Sequence, residues 1–285
     1  MNEMEANYII THLAKDEMSV AIDWAKREGW NPGLYDKDCF YQTDPQGFFG
    51  GKLNGKIVAL GSAVIYDDDF AFCGFYMVDP AFRGRGFGMA LTKERLAYIG
   101  QRNAGLDGVL PMVKKYEQLG YQLAYHNARY SGTLHLPKTT EHPAIQAITQ
   151  IDFKTLAAYD RRHFPAPRNT FLRCWIQQPK SKGFAYLQEG VLKGYGVMRS
   201  CYLGYKIGPL FADTPVIAHE LFVALVRHAN KHAIFLDIPE CNPYALELVK
   251  RYGLEKVFAT ARMYLKSPPL VTMEEIYGIT SFELG

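Results

Sequence analysis

A mixed α/β fold built from two similar halves is what this sequence predicts, on three observations. Strand-like and helical runs alternate along the chain, which excludes a helix bundle and points to sheet flanked by helices. At 285 residues, with 48% hydrophobic and 21% charged side chains, the chain holds material for two packed cores. The second half also echoes the first loosely, at an offset near 130.

The elements follow in order. Residues 8–13 alternate as a strand, and 15–27 carry Val20, Ile22, Trp24 and Ala25 at helical spacing. Gly29-Trp30-Asn31-Pro32-Gly33 breaks that helix into a loop. Strand-like runs cover 47–53, 56–66 and 70–78, and Asn54-Gly55 between the first two is a hairpin turn signal. Pro80 ends the third. A helix is expected over 88–102, with Met89, Ala90, Leu96 and Ala97 inward, then a short strand at 104–109. Pro111 opens a further helix that stops at Gly120, and a strand pair around 121–130 closes the half.

Pro137, Thr139, Thr140 and Pro143 interrupt any regular pattern over 131–150. The expected division is a first domain at 1–134, a linker at 135–149 and a second domain at 150–285. Beyond the linker, Gly204 to Leu210 lies over Gly74 to Pro80, and Leu236-Asp237 over Leu106-Asp107. After a three-residue gap, Arg251 to Leu254 lies over Gln118 to Tyr121, and Ala261-Arg262 over Ala128-Arg129.

Composition narrows the function classes. Lys+Arg at 32 against Asp+Glu at 29 gives +3 with no basic stripe, which disfavours nucleic acid or a membrane as partner. No apolar run reaches the length of a membrane span. The five cysteines are scattered and form no C-x-x-C pair. That pattern fits a reduced compartment rather than a disulfide framework or zinc knuckle. The acidic start lacks the pattern of a signal peptide, so the cytoplasm is the expected location.

The chemistry concentrates in Val78-Asp-Pro-Ala-Phe-Arg-Gly-Arg-Gly-Phe-Gly-Met, between a strand end and a helix start. Backbone N–H groups hold a phosphate only where no side chain blocks the approach, and glycine removes that block. The free N–H groups of the helix start add positive potential, and Arg83, Arg85 and Lys93 add full charges. Gly84, Gly86 and Gly88 therefore read as a pyrophosphate cradle. Three rivals are weighed against this: a plain surface turn, a Rossmann site and an RGG-type RNA segment. The spacing is G-x-G-x-G rather than G-x-G-x-x-G, and five residues separate strand from glycines, although Asp107 lies 19 residues beyond Gly88. An RNA segment of that type would repeat, and this one is single.

Val78-x-Pro80-x-Phe82-Arg83-Gly84-x-Gly86-x-Gly88 resembles the acyl-coenzyme A loop of the GNAT N-acetyltransferase superfamily. Lys115-Tyr116-Glu117-Gln118-Leu119-Gly120-Tyr121 resembles its helix end, and wider similarity points to a bacterial two-domain subfamily. The resemblance covers essentially the whole chain. It implies tandem domains, each a central, mostly antiparallel sheet flanked by helices, and transfer of an acetyl group from acetyl-coenzyme A to a primary amine in a ternary complex. Met77, Val78, Arg83, Gly84, Arg85, Gly86, Phe87, Gly88 and Tyr116 are the implied cofactor-binding residues. Backbone N–H groups at Met77 and Val78 are the implied oxyanion donors, and Tyr116 the general acid.

The base stays open. The third strand carries no carboxylate, so Asp107 at a strand end is one candidate, but Asp237 recurs in the other half and a structural role fits both. His126 or ordered water are others, and Asp67, Asp68 and Asp69 read as a solvated turn. Trp30 and Asn31 are candidate acceptor contacts, while Trp24, Phe48 and Phe49 suit the core equally well. Cys73 reads as a buried strand thiol. His228 and His232 sit four apart without a third ligand, so no metal is expected. At an offset of 130, Arg83 becomes Asp213, Gly84 Thr214, Gly86 Val216 and Gly88 Ala218, and the second half is expected to bind no coenzyme A. The absent base leaves an alternative, an acyl-coenzyme A sensor or interaction protein without turnover.

Overall fold

The computed structural model describes residues 7–137, 142–229 and 231–285, so the linker positions Thr139 and Thr140 lie outside the described residues. The first half begins with β1 (Tyr8–His12), α1 (Met18–Arg27) and α2 (Asp36–Thr43). The strands β2 (Phe48–Leu53), β3 (Lys56–Ile65) and β4 (Phe70–Val78) follow. Next come α3 (Phe87–Ile99), β5 (Asn103–Val109), α4 (Val113–Gln118) and β6 (Gln122–Gly132). The short β7 (Ile145–Ala147) falls within the expected linker and pairs with β8. The second half holds α5 (Phe153–Asp160), α6 (Asn169–Ile176), β8 (Lys182–Gln188), β9 (Val191–Ser200) and β10 (Tyr205–Ala212). It ends with α7 (Pro215–Val226), β11 (Ile234–Pro239), α8 (Pro243–Arg251), β12 (Glu255–Tyr264) and β13 (Ile276–Gly278).

Two separate sheets were the expectation; the strands instead form one mixed sheet. Its order is β1-β2-β3-β4-β5-β12-β6-β11-β10-β9-β8-β7, with β13 paired to β10. Rather than closing the first half as a pair, 122–132 is a single strand that crosses into the second half beside β11. In return β12 pairs with β5. The halves have exchanged their last long strands, and β6 and β12 meet at the centre.

That exchange explains a puzzling part of the internal repeat. Arg262 lies opposite Asp107, and Arg129 lies opposite Asp237. Each strand-end aspartate clamps the arginine of the strand lent by the other half. Arg129 Nε and Nη2 donate to Asp237 at 2.6 and 2.8 Å, and Arg262 Nε and Nη2 donate to Asp107 at 3.0 and 2.7 Å. All four side chains are nearly closed to solvent. Bidentate pairing is the geometry that offsets the cost of burying two charges.

Packing follows the strands. One core joins α3 and α4 to the first half of the sheet through Phe87, Leu91, Ile99 and Tyr121. A second joins α7 and α8 to the other half through Leu221, Phe222 and Val249. A third, containing Trp24, Phe40, Phe75, Trp175, Phe211 and Phe282, runs between the halves. The inward face of α3 differs from expectation. Thr92 and Arg95 point in with Leu91, while Met89 is 50% exposed.

The cysteine reading is corrected as well. Cys39 of α2 and Cys174 of α6 form a disulfide across the halves. Their separation of 135 residues hid the pair, because only tertiary packing brings the two helices together.

Candidate active site at the splayed strands

β4 and β5 pair only from Phe70↔Asn103 to Cys73↔Leu106, and then part. A bulge in β4 shapes the parting: between Ser62↔Gly74 and Leu60↔Met77, the two residues Phe75 and Tyr76 oppose Gly61 alone. Phe75 sits there at φ 51°, a strained value for an aromatic residue, with its ring buried against Phe40. Arg95 reaches in from α3, its Nε donating to the Ser62 carbonyl at 2.8 Å and its Nη2 to the Gly74 carbonyl at 3.4 Å. This arginine fixes the bulge, and nothing in its sequence context distinguished it from a surface charge.

The Asp79 N–H donates to the Val58 carbonyl at 2.9 Å. Antiparallel alternation therefore turns the N–H and carbonyl of Val78 away from β3, toward the gap. The Val78 carbonyl accepts Arg83 Nε at 3.0 Å on that side. The same alternation turns the Met77 N–H toward β3, so of the two expected oxyanion donors only Val78 faces the gap.

Residues 79–86 carry the chain from β4 to α3. Gly84 and Gly86 take φ values of 75° and 85°, the left-handed region, and a Cβ at either would face open space. Gly86 is the N-cap of α3 and offers no side-chain cap. No side chain caps the first-turn N–H groups of α3, and the loop residues Arg83, Gly84 and Gly86 before them are exposed. Arg83 forms an exposed pair with Glu28 at 2.8 Å, and Arg85 lies over the rings of Phe82 and Phe87. Bare amides beside two arginines form a surface that suits a diphosphate. Phe87 itself packs inward on Tyr8, with ring centroids 4.6 Å apart. Gly88 is required by packing, because a Cβ there would strike the Tyr76 hydroxyl.

Tyr116 stands beside the same gap. Its ring lies against Gly108 of β5, where a Cβ would come within 2.7 Å of it. Burial pushes its hydroxyl up to about 12, opposed by Arg95 and reinforced by Tyr76 and Cys73. The phenol therefore stays protonated at neutral pH among residues of α3 and β4. Tyr121, the last residue of the helix-end motif, packs edge-on to Tyr116 at 6.1 Å.

Three other expected site residues make contacts within the fold. Asp107 accepts from Arg262, from Asn127 Nδ2 at 2.7 Å and from Thr260 Oγ1, so its lone pairs are committed. The Asn31 side chain bonds both the carbonyl and the N–H of Leu203, while the Trp30 carbonyl accepts Arg129 Nη1. This loop joins the halves. Trp24, Phe48 and Phe49 lie in the cores, Cys73 is buried, and His126 is exposed. Asp67 accepts the N–H groups of Asp69 and Phe70, forming the expected turn. His228 Nδ1 is 3.0 Å from the Ala224 carbonyl. Among the described residues no group of three His, Cys, Asp or Glu is arranged to hold a metal.

The second half has the same plan with the gap closed. β10 and β11 pair through Ile207↔Leu236, matching Cys73↔Leu106, so the strand offset here is 134 rather than 130. Ala212 then corresponds to Val78, and only residues 213 and 214 separate β10 from α7 where eight residues separate β4 from α3. The glycine loop is deleted rather than substituted. Thr214 caps α7 by accepting the Ile217 N–H, and Pro215 removes another donor. Asp213 is held by Tyr159, Lys193 and Arg162. β13 fills the space beside β10, pairing Leu210↔Gly278, and the Ile279 N–H reaches the Asp237 carbonyl at 2.8 Å.

A glycine-opened helix start beside splayed parallel strands, built twice with one copy closed, defines a class of tandem acyltransferases. The chain belongs to the GNAT acetyltransferase family. Residues 12–121 match the model described as Acetyltransferase (GNAT) family, and 156–278 match that described as Acetyltransferase (GNAT) domain. It is 30% identical over 272 residues to holothin acyltransferase of Pseudoalteromonas sp. (strain SANK 73390), covering 95% of this chain and 92% of that protein. It is 21% identical to the uncharacterized N-acetyltransferase YitH of Bacillus subtilis (strain 168), over 96% and 97% of the two chains. In fold it is similar to a putative acetyltransferase from Pyrococcus horikoshii, with TM-score 0.84 and 22% identity over 98% and 96% of the chains. A tandem GNAT protein from the clavulanic acid biosynthesis pathway gives TM-score 0.62 at 13% identity, over 92% and 99%. The protein is an N-acyltransferase with two GNAT domains, and membership implies an acyl-coenzyme A co-substrate. Among the described residues no helix is long and apolar enough to cross a membrane.

Proposed function

We propose that the first half, residues 1–134, transfers an acetyl group from acetyl-coenzyme A to a primary amine by direct attack within a ternary complex. The observation that carries this reading is the open gap: an inward-turned Val78 N–H, an uncapped α3 and the Tyr116 phenol all border it. Gly84, Gly86 and the start of α3 hold the diphosphate, with Arg83 exchanging its exposed Glu28 partner for phosphate. The Val78 N–H stabilises the oxyanion of the tetrahedral intermediate. Tyr116 delivers a proton to the departing thiolate. Asp107 takes the anchoring role, not that of the base.

Release of free thiol from acetyl-coenzyme A with a panel of amines tests this. Tyr116→Phe is expected to lower kcat by about 100-fold with little change in donor affinity. Unchanged turnover removes Tyr116 from the mechanism. The commitment of Asp107 is the one observation favouring a donor-binding protein without turnover. That second reading holds if acetyl-coenzyme A binds and no amine releases thiol.

A further inference from the structure

The two sulphurs of the Cys39–Cys174 link are unequally accessible. Cys39 is 0% exposed and belongs to the core between the halves. The next residue, Phe40, stacks on Trp175 at 5.9 Å and meets Phe75 edge-on at 5.7 Å, which walls that side. Cys174 is only half-buried and forms part of the wall of an open pocket between α2 and α6. The pocket holds about 410 Å³, within the roughly 300–1,000 Å³ typical of small-molecule sites. Its walls are mostly polar: Asp38 and Gln42 from α2, Thr170 and Arg173 from α6, and Gln177 just beyond. Charges of both signs beside two amides suit a hydrophilic molecule. Arg173 adjoins Cys174 in the chain, and its positive charge favours the approach of a thiolate.

The halves do not depend on this link alone. β6 and β12 are exchanged between them, and Asn31 bonds Leu203 across the seam. Asp36, at the start of α2, accepts Arg199 Nε at 2.9 Å and Gln178 Nε2 at 3.3 Å. Opening the link therefore frees α2 from α6 at one point and leaves the other ties in place.

We propose that Cys174 is a thiolation site, and that its pocket admits a small zwitterionic thiol of the cysteine or glutathione class. The thiol first loses its proton to water. Its thiolate attacks Cys174 Sγ, and the new S–S bond forms as the Cys39–Cys174 bond breaks. The electron pair of that bond leaves on Cys39 Sγ, which takes a proton from water. The attacking sulphur is thereby oxidised and the Cys39 sulphur reduced. Cys39 stays beside the adduct, so its return attack expels the small thiol and restores the link. The inference does not rest on the acetyl-transfer reading.

The test holds wild-type protein, its link formed, in glutathione, cysteine or 2-mercaptoethanol without oxygen. Samples are quenched in acid, alkylated and read by intact mass and peptide mapping. Cys73, Cys201 and Cys241 are free, so with reduced thiol alone the first mixed disulfide arises at the link. At early times one thiol per chain is expected, on Cys174 over Cys39 by about 10-fold or more. Equal labelling, which attack on an unfolded chain would give, overturns the site. So does an adduct mainly on Cys39, or a link that opens only in urea. Dividing each rate by its value in urea removes intrinsic reactivity. Glutathione or cysteine should then exceed 2-mercaptoethanol by about 3-fold or more, and an equal or reversed order overturns the ligand class. If the link opens before an adduct is trapped, two variants decide, with melting curves to show that both fold. Oxidised glutathione should label Cys174 in Cys39→Ser about 10-fold or more faster than Cys39 in Cys174→Ser. Equal rates in the folded variants overturn the site.

Discussion

The starts of α3 and α7 occupy equivalent places and differ in almost every chemical respect. Before α3 lie eight residues ending in a left-handed Gly86, no side-chain cap and two arginines. Before α7 lie two residues, a Thr214 cap, Pro215 at the first position and an Asp213 already held by Lys193 and Arg162. One helix start presents unsatisfied donors to solvent, and the other has satisfied its own. Beside α3 the strands splay open, whereas beside α7 the chain lays its own β13 into the corresponding space. A shared fold thus fixes the frame, and a few residues at a helix terminus decide whether it holds an anion.

What the halves keep in common is as informative. Asp107–Arg262 and Asp237–Arg129 are equivalent clamps, so breaking either should cost alike. Asp107→Ala and Asp237→Ala are each expected to lower stability by about 3–5 kcal/mol in urea denaturation, since each strands a buried guanidinium. A stable Asp107→Ala protein with lost turnover would break this symmetry and restore Asp107 as a base. The Arg129 charge overrides burial and holds the Asp237 carboxyl below its usual range. That contribution to stability is present above the unfolded pKa near 3.8 and is lost as pH falls through the lower folded value. The Cys39–Cys174 link ties the halves across 135 residues, and Cys39→Ser should cost about 2–4 kcal/mol. The same melting curve with and without reductant would show that the bond contributes nothing. Thr214→Ala should cost only about 1 kcal/mol and leave donor affinity untouched.

The anion cradle was legible because bare amides at a helix start require glycine at fixed positions, a demand visible in Gly84 and Gly86. Tyr116 came with its helix-end motif. Strand exchange was not legible: alternation tells which face a residue takes, and β6 alternates identically beside β5 or β11. The repeated Asp and Arg were its trace, visible as a repeat but not as a crossed pair. Nothing in the sequence marked Arg95, Lys206 or Glu283 as buried, because burial depends on contacts distant in sequence. The offset of 130 misplaced β10 by four residues, since a deleted loop moves a strand without changing its pattern. Packing, not periodicity, assigned Asn31 and Trp30 to the seam between the halves.

The most direct test of a single open donor site is calorimetric titration of the intact protein with acetyl-coenzyme A. One molecule should bind per chain, and Gly86→Val, which puts a β-branched side chain at φ 85°, should weaken binding by about 100-fold or more. Two molecules per chain, or binding that survives Gly86→Val unchanged, would contradict the assignment of donor binding to the start of α3.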